Sequence, residues 1–174
     1  MPEPGVVDAY LDGQTDLFSD KLFDAIRLGV DLGAIKLVNA ARHWICRVTG
    51  YPIKRGIYVD ACYDIGHIEN VHFWPFGVSY DPNNPYCKWV NMEGVAFELA
   101  RTDWHYIFNT FCFGYGVGYK FSASAQGSAN GNFLGLGADS CQRAVVVEQA
   151  QPPGLLISRR SSNCRTSMRR PVSR

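Results

Sequence analysis

Residues 94–116, GVAFELARTDWHYIFNTFCFGYG, decide the fold. Val95 and Phe97 flank Ala96 in the period-two alternation of a strand with one buried face, and a second apolar run, Ile107 to Phe113, follows after a polar turn. Working outward, the same succession starts at Ala34 (AIKLVNAARHWICRVTGY), Gly56 (GIYVDACYDIGHIENVHFWPFG), Gly118 (GYKFSASAQGSANGNFLGLGADS) and Ala144 (AVVVEQAQPPGLLIS). The second residues of the five segments, Ile35, Ile57, Val95, Tyr119 and Val145, are spaced by 22, 38, 24 and 26. The interval of 38 holds a Pro/Asn-rich insertion of 14 residues, 79–92, and without it becomes 24.

Two strands and a weaker third stretch repeated at a fixed period are the mark of a solenoid, in which each repeat buries its apolar face against its neighbours. The expected fold is all-β: a parallel β-helix of about five coils over residues 34–157, with a segment 1–33 before it and a basic tail 158–174 after it. Stacked coils bring equivalent residues to roughly 4.8 Å, so like side chains pile into columns. Leu37, Val59, Phe97, Phe121 and Val147 are predicted to form one inward column. Asn70, Asn109 and Asn132 fall near one place in three coils, where an inward asparagine ladder would satisfy backbone groups at a bend.

Coil length, strand–bend–strand rhythm and the asparagine ladder together resemble the right-handed parallel β-helix proteins of the pectate lyase-like group, over about residues 34–157. The resemblance implies a polysaccharide partner, typically a long acidic glycan, a secreted or cell-surface location, and lyase or glycoside hydrolase-like chemistry. It also allows a non-catalytic carbohydrate-binding or structural spike module, alone or as an oligomer, because one fold serves many functions. The paired aspartates, Gly-His-Gly and Arg-Ile-Lys strings of polygalacturonase-like hydrolases do not occur in this sequence, so no catalytic residue carries over from the group.

Charge and composition narrow the partners. Six arginines lie between Ser158 and Arg174; without them 11 basic residues face 16 acidic ones, a mildly acidic body with no footprint for nucleic acid. No run of 18 apolar residues exists, so membrane insertion is not expected, and the opening MPEPGVVDAYLDG lacks the basic start and apolar stretch of a signal peptide. Six scattered cysteines without a C-x-x-C pair read as buried thiols, or as one disulfide that spacing does not assign. Cys62, His67 and His72 lack the spacing of a zinc site, and no metal ligand set is assigned.

Two outward rows carry the candidate chemistry. Asp60, Glu98 and Glu148 are assigned to one column, in which Asp60 and Glu98 on adjacent coils would share a calcium ion or split their pKa values into an acid and a base. A carboxyl pair at about 5 Å is the separation of a retaining glycosidase. The plainer reading is a solvated face balanced by Lys36 and Lys120. At the turn between strands, Asp64 and His67 are aligned with Asp103 and His105, beside Arg101, a set able to abstract a proton from an acidic sugar or merely to line the surface.

The insertion offers flat faces for sugar rings in Tyr80, Tyr86 and Trp89, with Trp74 nearby, while Asp81 and Asn83 supply hydrogen bonds. Equally, those aromatics would cover the trunk. At the ends, Ser19 can cap a short helix over SDKLFDAIRL, the alternative being an early strand. After Ile157 the apolar rhythm stops, and 158–174 is expected to stand outside the fold of what reads as a piece of a longer β-helix.

Overall fold

The computed structural model describes residues 33–75, 81–160 and 165–168. The segment at Ser19 and the side chain of Tyr80 lie outside these. The first coil contains β1 (Gly33–Val38), β2 (Trp44–Cys46) and β3 (Thr49–Gly50); the second contains β4 (Arg55–Asp60), β5 (His67–Glu69) and β6 (His72–Phe73). A helix, α1 (Pro85–Glu93), follows. The third coil is β7 (Val95–Leu99) and β8 (Thr102–Phe113), and the fourth is β9 (Val117–Phe121), β10 (Ala123–Ser124) and β11 (Gly127–Asp139). The fifth is β12 (Arg143–Val147) and β13 (Leu155–Arg160), and β14 (Arg165–Met168) opens a further turn.

Two parallel sheets face each other across the core. One runs β1-β4-β7-β9-β12-β14, the other β2-β5-β8-β11-β13, with β3 and β6 extending the second beside β8. This is the expected all-β parallel solenoid of about five coils. Only the β10–β11 pairing is antiparallel among the described residues, a small hairpin on the fourth coil.

Inward columns follow the alternation. Ile45, Ile68, Ile107, Phe133 and Ile157 line the second sheet. On the first sheet the register differs from the one expected. Leu37 pairs with Val59, but Val59 pairs with Leu99, then Phe121 and Val147, while Ile35, Ile57, Phe97, Tyr119 and Val145 form the parallel column. Phe97 therefore lies flat on Tyr119, with ring centroids 4.8 Å apart and planes 5° apart, rather than below Phe121. The slip of two residues arises where the chain re-enters the trunk, since Val95 pairs with Arg55 and not with Ile57. A shift of two keeps every side chain on its own face, so the hydrophobic pattern is blind to it.

The insertion is helical where a loop was expected. Asn84 caps α1 by accepting from the Tyr86 N–H at 2.9 Å, and Pro85 sits at the first position, where a missing donor costs nothing. Gly94 ends it: a Cβ there would lie 2.7 Å from the Val90 carbonyl and 2.9 Å from that of Ile53, which is why the chain turns back into β7 at a glycine. The helix buries Tyr86, Cys87 and Val90 against the trunk.

The bend inside the second sheet has its own column. Arg47, Asn70 and Asn109 all adopt left-handed backbone, with φ of 55°, 53° and 49°, and Gly135 takes the equivalent place at 68°. Asparagine and glycine are the residues that tolerate this conformation best. The predicted ladder shortens to two exposed members, Asn109 Nδ2 donating to Asn70 Oδ1 at 2.7 Å; Asn132 instead pairs with Tyr106 within the strand. It faces outward, so the inward ladder is corrected.

The expected end of the trunk at Ile157 falls inside a strand. β13 continues to Arg160 against β11, and Arg165–Met168 pair with β12 in parallel. The last coil presents unpaired backbone donors and acceptors, and an extended chain satisfies them whatever its side chains. For those residues the expectation of a tail outside the fold gives way.

Candidate functional site

The carboxylate pair expected on the first sheet is not assembled. In the observed register Glu98 stands between Tyr58 and Lys120, not beside Asp60. Its carboxylate contacts Arg55 at 3.3 Å and Lys120 at 3.5 Å, and Lys120 reaches on to Glu148 at 3.4 Å. Asp60 is the acceptor for four donors: Ser124 Oγ at 2.7 Å, the N–H groups of Ala61 at 2.8 Å and Arg101 at 3.1 Å, and Tyr58 Oη at 3.2 Å. Burial acts to raise the Asp60 pKa, yet these hydrogen bonds outweigh it and hold the carboxyl below its ordinary value. The result is an ion-pair ladder and a structural staple. Neither resembles an acid facing a base.

The turn row is divided as well. Arg101 forks onto Asp103 at 2.6 and 3.1 Å and lies 5.0 Å from the Tyr63 ring, while Gln151 Nε2 donates to the same carboxylate at 2.9 Å. Asp64 pairs instead with Arg42 at 3.0 Å on the surface. His67 aligns with Tyr106, not with His105; the two rings stack at 5.2 Å, and His67 Nδ1 meets Glu69 at 3.3 Å.

His105 points inward and is fully buried, away from the outward turn row in which it was expected. An inward position on β8 needs an apolar residue or a partnered one, and His105 has His43 two coils below, Nε2 to Nε2 at 2.8 Å. His43 Nδ1 lies 2.9 Å from the Ala40 carbonyl, which assigns that nitrogen the proton and makes His105 the donor of the pair. Among the described residues Nδ1 of His105 then has no hydrogen-bond partner. Burial, reinforced by His43 and His67, pushes the His105 pKa well below normal; burial lowers that of His43 too.

Tyr86 also turns into the core. Only 3% exposed, it donates its hydroxyl to the Tyr51 carbonyl at 3.1 Å and packs edge-on against the Tyr51 ring. An aromatic at the first turn of a helix lying on the trunk covers the core before it meets a ligand. Trp89 is half-buried against that core. Asp81 caps its own turn by accepting from the Asn83 N–H at 2.8 Å.

What the sequence reading missed is the outward face of the second sheet. Trp44, His67, Tyr106, Asn132 and Leu156 form one outward column, and Phe108 stands next to Tyr106 at 5.6 Å. Beyond the bend His72, Trp74, Phe111 and Phe113 form a second cluster, with Trp74 to Phe113 at 4.3 Å and His72 to Phe111 at 5.1 Å. Trp44 is 52% exposed and Leu156 60%. The exposed Asn70–Asn109 amides lie at the bend between the two clusters. The signal was present in YIFNTFCF, residues 106–113, where aromatics occupy outward positions of a strand whose inward positions are already filled by Ile107, Thr110 and Cys112.

Among the described residues no group of three His, Cys, Asp or Glu side chains is placed to hold a metal ion, and no helix is long and apolar enough to cross a membrane. Compared with family models, curated proteins and solved structures, the chain finds no match. The class the coordinates define is the parallel β-solenoid.

Proposed function

We propose that this solenoid is a carbohydrate-binding module whose ligand lies on the outward aromatic face of the second sheet. One observation carries the reading: two clusters of half-exposed aromatic rings flank a pair of exposed side-chain amides. Sugar rings offer apolar C–H faces that stack on aromatic planes and hydroxyls that bond to amides, so flat faces and amides in alternation suit them. Asn109 Nδ2 is directed at Asn70 Oδ1, which leaves the Asn109 oxygen and the Asn70 NH₂ available to hydroxyl groups. The resemblance to pectate lyase-like proteins agrees with a polysaccharide ligand. Binding is favoured over processing because the carboxylates and the histidine expected to act as acid and base are committed to ion pairs, staples and the core.

The test is retention by polysaccharide gels in native affinity electrophoresis, with neutral and acidic glycans run side by side. Trp44→Ala, Tyr106→Ala and Trp74→Ala are each expected to weaken retention about tenfold, near 1.4 kcal/mol. Retention unchanged in all three, or release of reducing ends or unsaturated products by the wild-type chain, overturns the reading.

A further inference from the structure

Cys112 and Cys141 lie away from the aromatic face, in the corner where the second sheet meets the first. Cys112 is on β8, in the inward column that continues from Phe73 to Ala138, and Cys141 follows β11 one coil further on. Their sulfurs are 3.9 Å apart across 29 residues of chain. Cys112 is fully buried and Cys141 is 5% exposed, so the second thiol is the nearer to solvent. Gly118 packs beside Cys112: a Cβ there would stand 2.8 Å from the Ala144 carbonyl and 3.2 Å from Cys112 Sγ, so the chain comes this near only as glycine.

The surroundings of Cys141 favour its ionised form. Cys112 hydrogen-bonds to Cys141, and the backbone amides of Tyr115 and Gly114 face the Cys141 sulfur; together these overcome the effect of burial and lower its pKa from the usual thiol value. Cys62, by contrast, has its thiol raised by burial. A disulfide needs sulfurs about 2.05 Å apart, so rotation about two side-chain bonds must close a gap of roughly 2 Å.

We propose that Cys112 and Cys141 form a two-electron redox site, oxidised by a hydroperoxide to an intramolecular disulfide that ties the third coil to the fourth. The Cys141 thiolate attacks the peroxide oxygen, the O–O bond breaks, and sulfenic acid and hydroxide (or alkoxide) result. Cys112 sulfur then displaces the sulfenic hydroxyl as water, its own proton leaving with it, and the S–S bond forms. Sulfur is oxidised by two electrons and the peroxide is reduced by two. A thiol reductant reverses the step by exchange.

The folded protein is treated with graded hydrogen peroxide, quenched in denaturant with an alkylating reagent, and peptide-mapped without reduction. The expected product is a Cys112–Cys141 peptide pair lighter by two hydrogens, with the other cysteines alkylated, and a melting temperature raised by several degrees that dithiothreitol restores. Cys112→Ser should trap Cys141 as a sulfenic acid labelled by a dimedone probe; Cys141→Ser should leave Cys112 unlabelled. The wild-type map decides the matter should either variant fold poorly. Cross-linking to any other cysteine, sulfinic acid at Cys141 with Cys112 still alkylated, or no modification below the peroxide level that unfolds the chain overturns the proposal.

Discussion

Gly66 has no side chain because two imidazoles occupy its place: a Cβ there would collide with the His43 ring and lie 2.9 Å from His105 Cδ2. Gly66→Ala is therefore expected to destabilise the fold by about 2–4 kcal/mol, as overpacking in a rigid core does, measurable by urea unfolding. The histidines it accommodates make stability depend on pH. Their folded pKa values lie below 6.5 through burial, so below pH 6.5 the unfolded chain takes up protons that the folded one refuses. Stability is complete above that pH and falls as the pH drops towards the folded values. The unfolding midpoint should decline from pH 7.5 to 5, and decline less in His105→Leu; equal slopes would remove the pair as the cause. Asp60 acts in a separate window, because its folded pKa is also lowered but from 3.8: its contribution is present above that value and lost in stronger acid. Asp60→Ala, which leaves four donors without their acceptor, should cost about 2–3 kcal/mol at neutral pH.

Among the elements, α1 and the bend column were the least legible. PYCKWVNME carries no strong helical stripe, and its role is visible only once Tyr86, Cys87 and Val90 are seen against the trunk. Tyr86→Phe should lower stability by about 1 kcal/mol through the lost bond to the Tyr51 carbonyl, while leaving polysaccharide retention unchanged. A loss of retention would return Tyr86 to the binding surface. At the bend, Asn109→Gly should be nearly neutral and Asn109→Val should cost about 1–2 kcal/mol, because φ of 49° suits glycine and opposes a β-branched residue. The strands themselves were readable from period-two alternation, as Ile57 and Val59, and Tyr119 and Phe121, show by facing inward. Register across the insertion was not, since nothing in the alternation distinguishes Phe97 from Leu99 as the partner of Val59. That one ambiguity set Glu98 beside Asp60 on paper and beside Tyr58 in the fold, and with it went the expected catalytic pair.

At the scale of the molecule, the five coils were legible because a solenoid writes its period into the chain, whereas the outward aromatic face was not. Rows such as Trp44, His67 and Tyr106 come from three different coils and become neighbours only when the coils stack in the correct register. The C-terminal boundary was hidden for a related reason: ladder pairing of Arg165–Met168 is a backbone property that composition does not announce. A chain ending at Ile157 should melt lower than the full chain and aggregate on heating, as its last strands lose their partners. A melting temperature equal to that of the full chain would assign β14 no part in stability.

Three contacts described above skip a coil. His43 in the first meets His105 in the third, Asp60 in the second accepts from Ser124 in the fourth, and Asp103 in the third accepts from Gln151 in the fifth. A stack of repeats is ordinarily a one-dimensional lattice with nearest-neighbour coupling, in which an end unit frays at the loss of a single interface. Second-neighbour bonds lengthen the correlation along that lattice. The first coil cannot peel away without breaking into the third, nor the second without breaking into the fourth, and partly frayed states between the intact stack and the unfolded chain are correspondingly depleted. Amide exchange in β2, β5 and β8 should then report one shared opening free energy rather than a gradient falling towards the end.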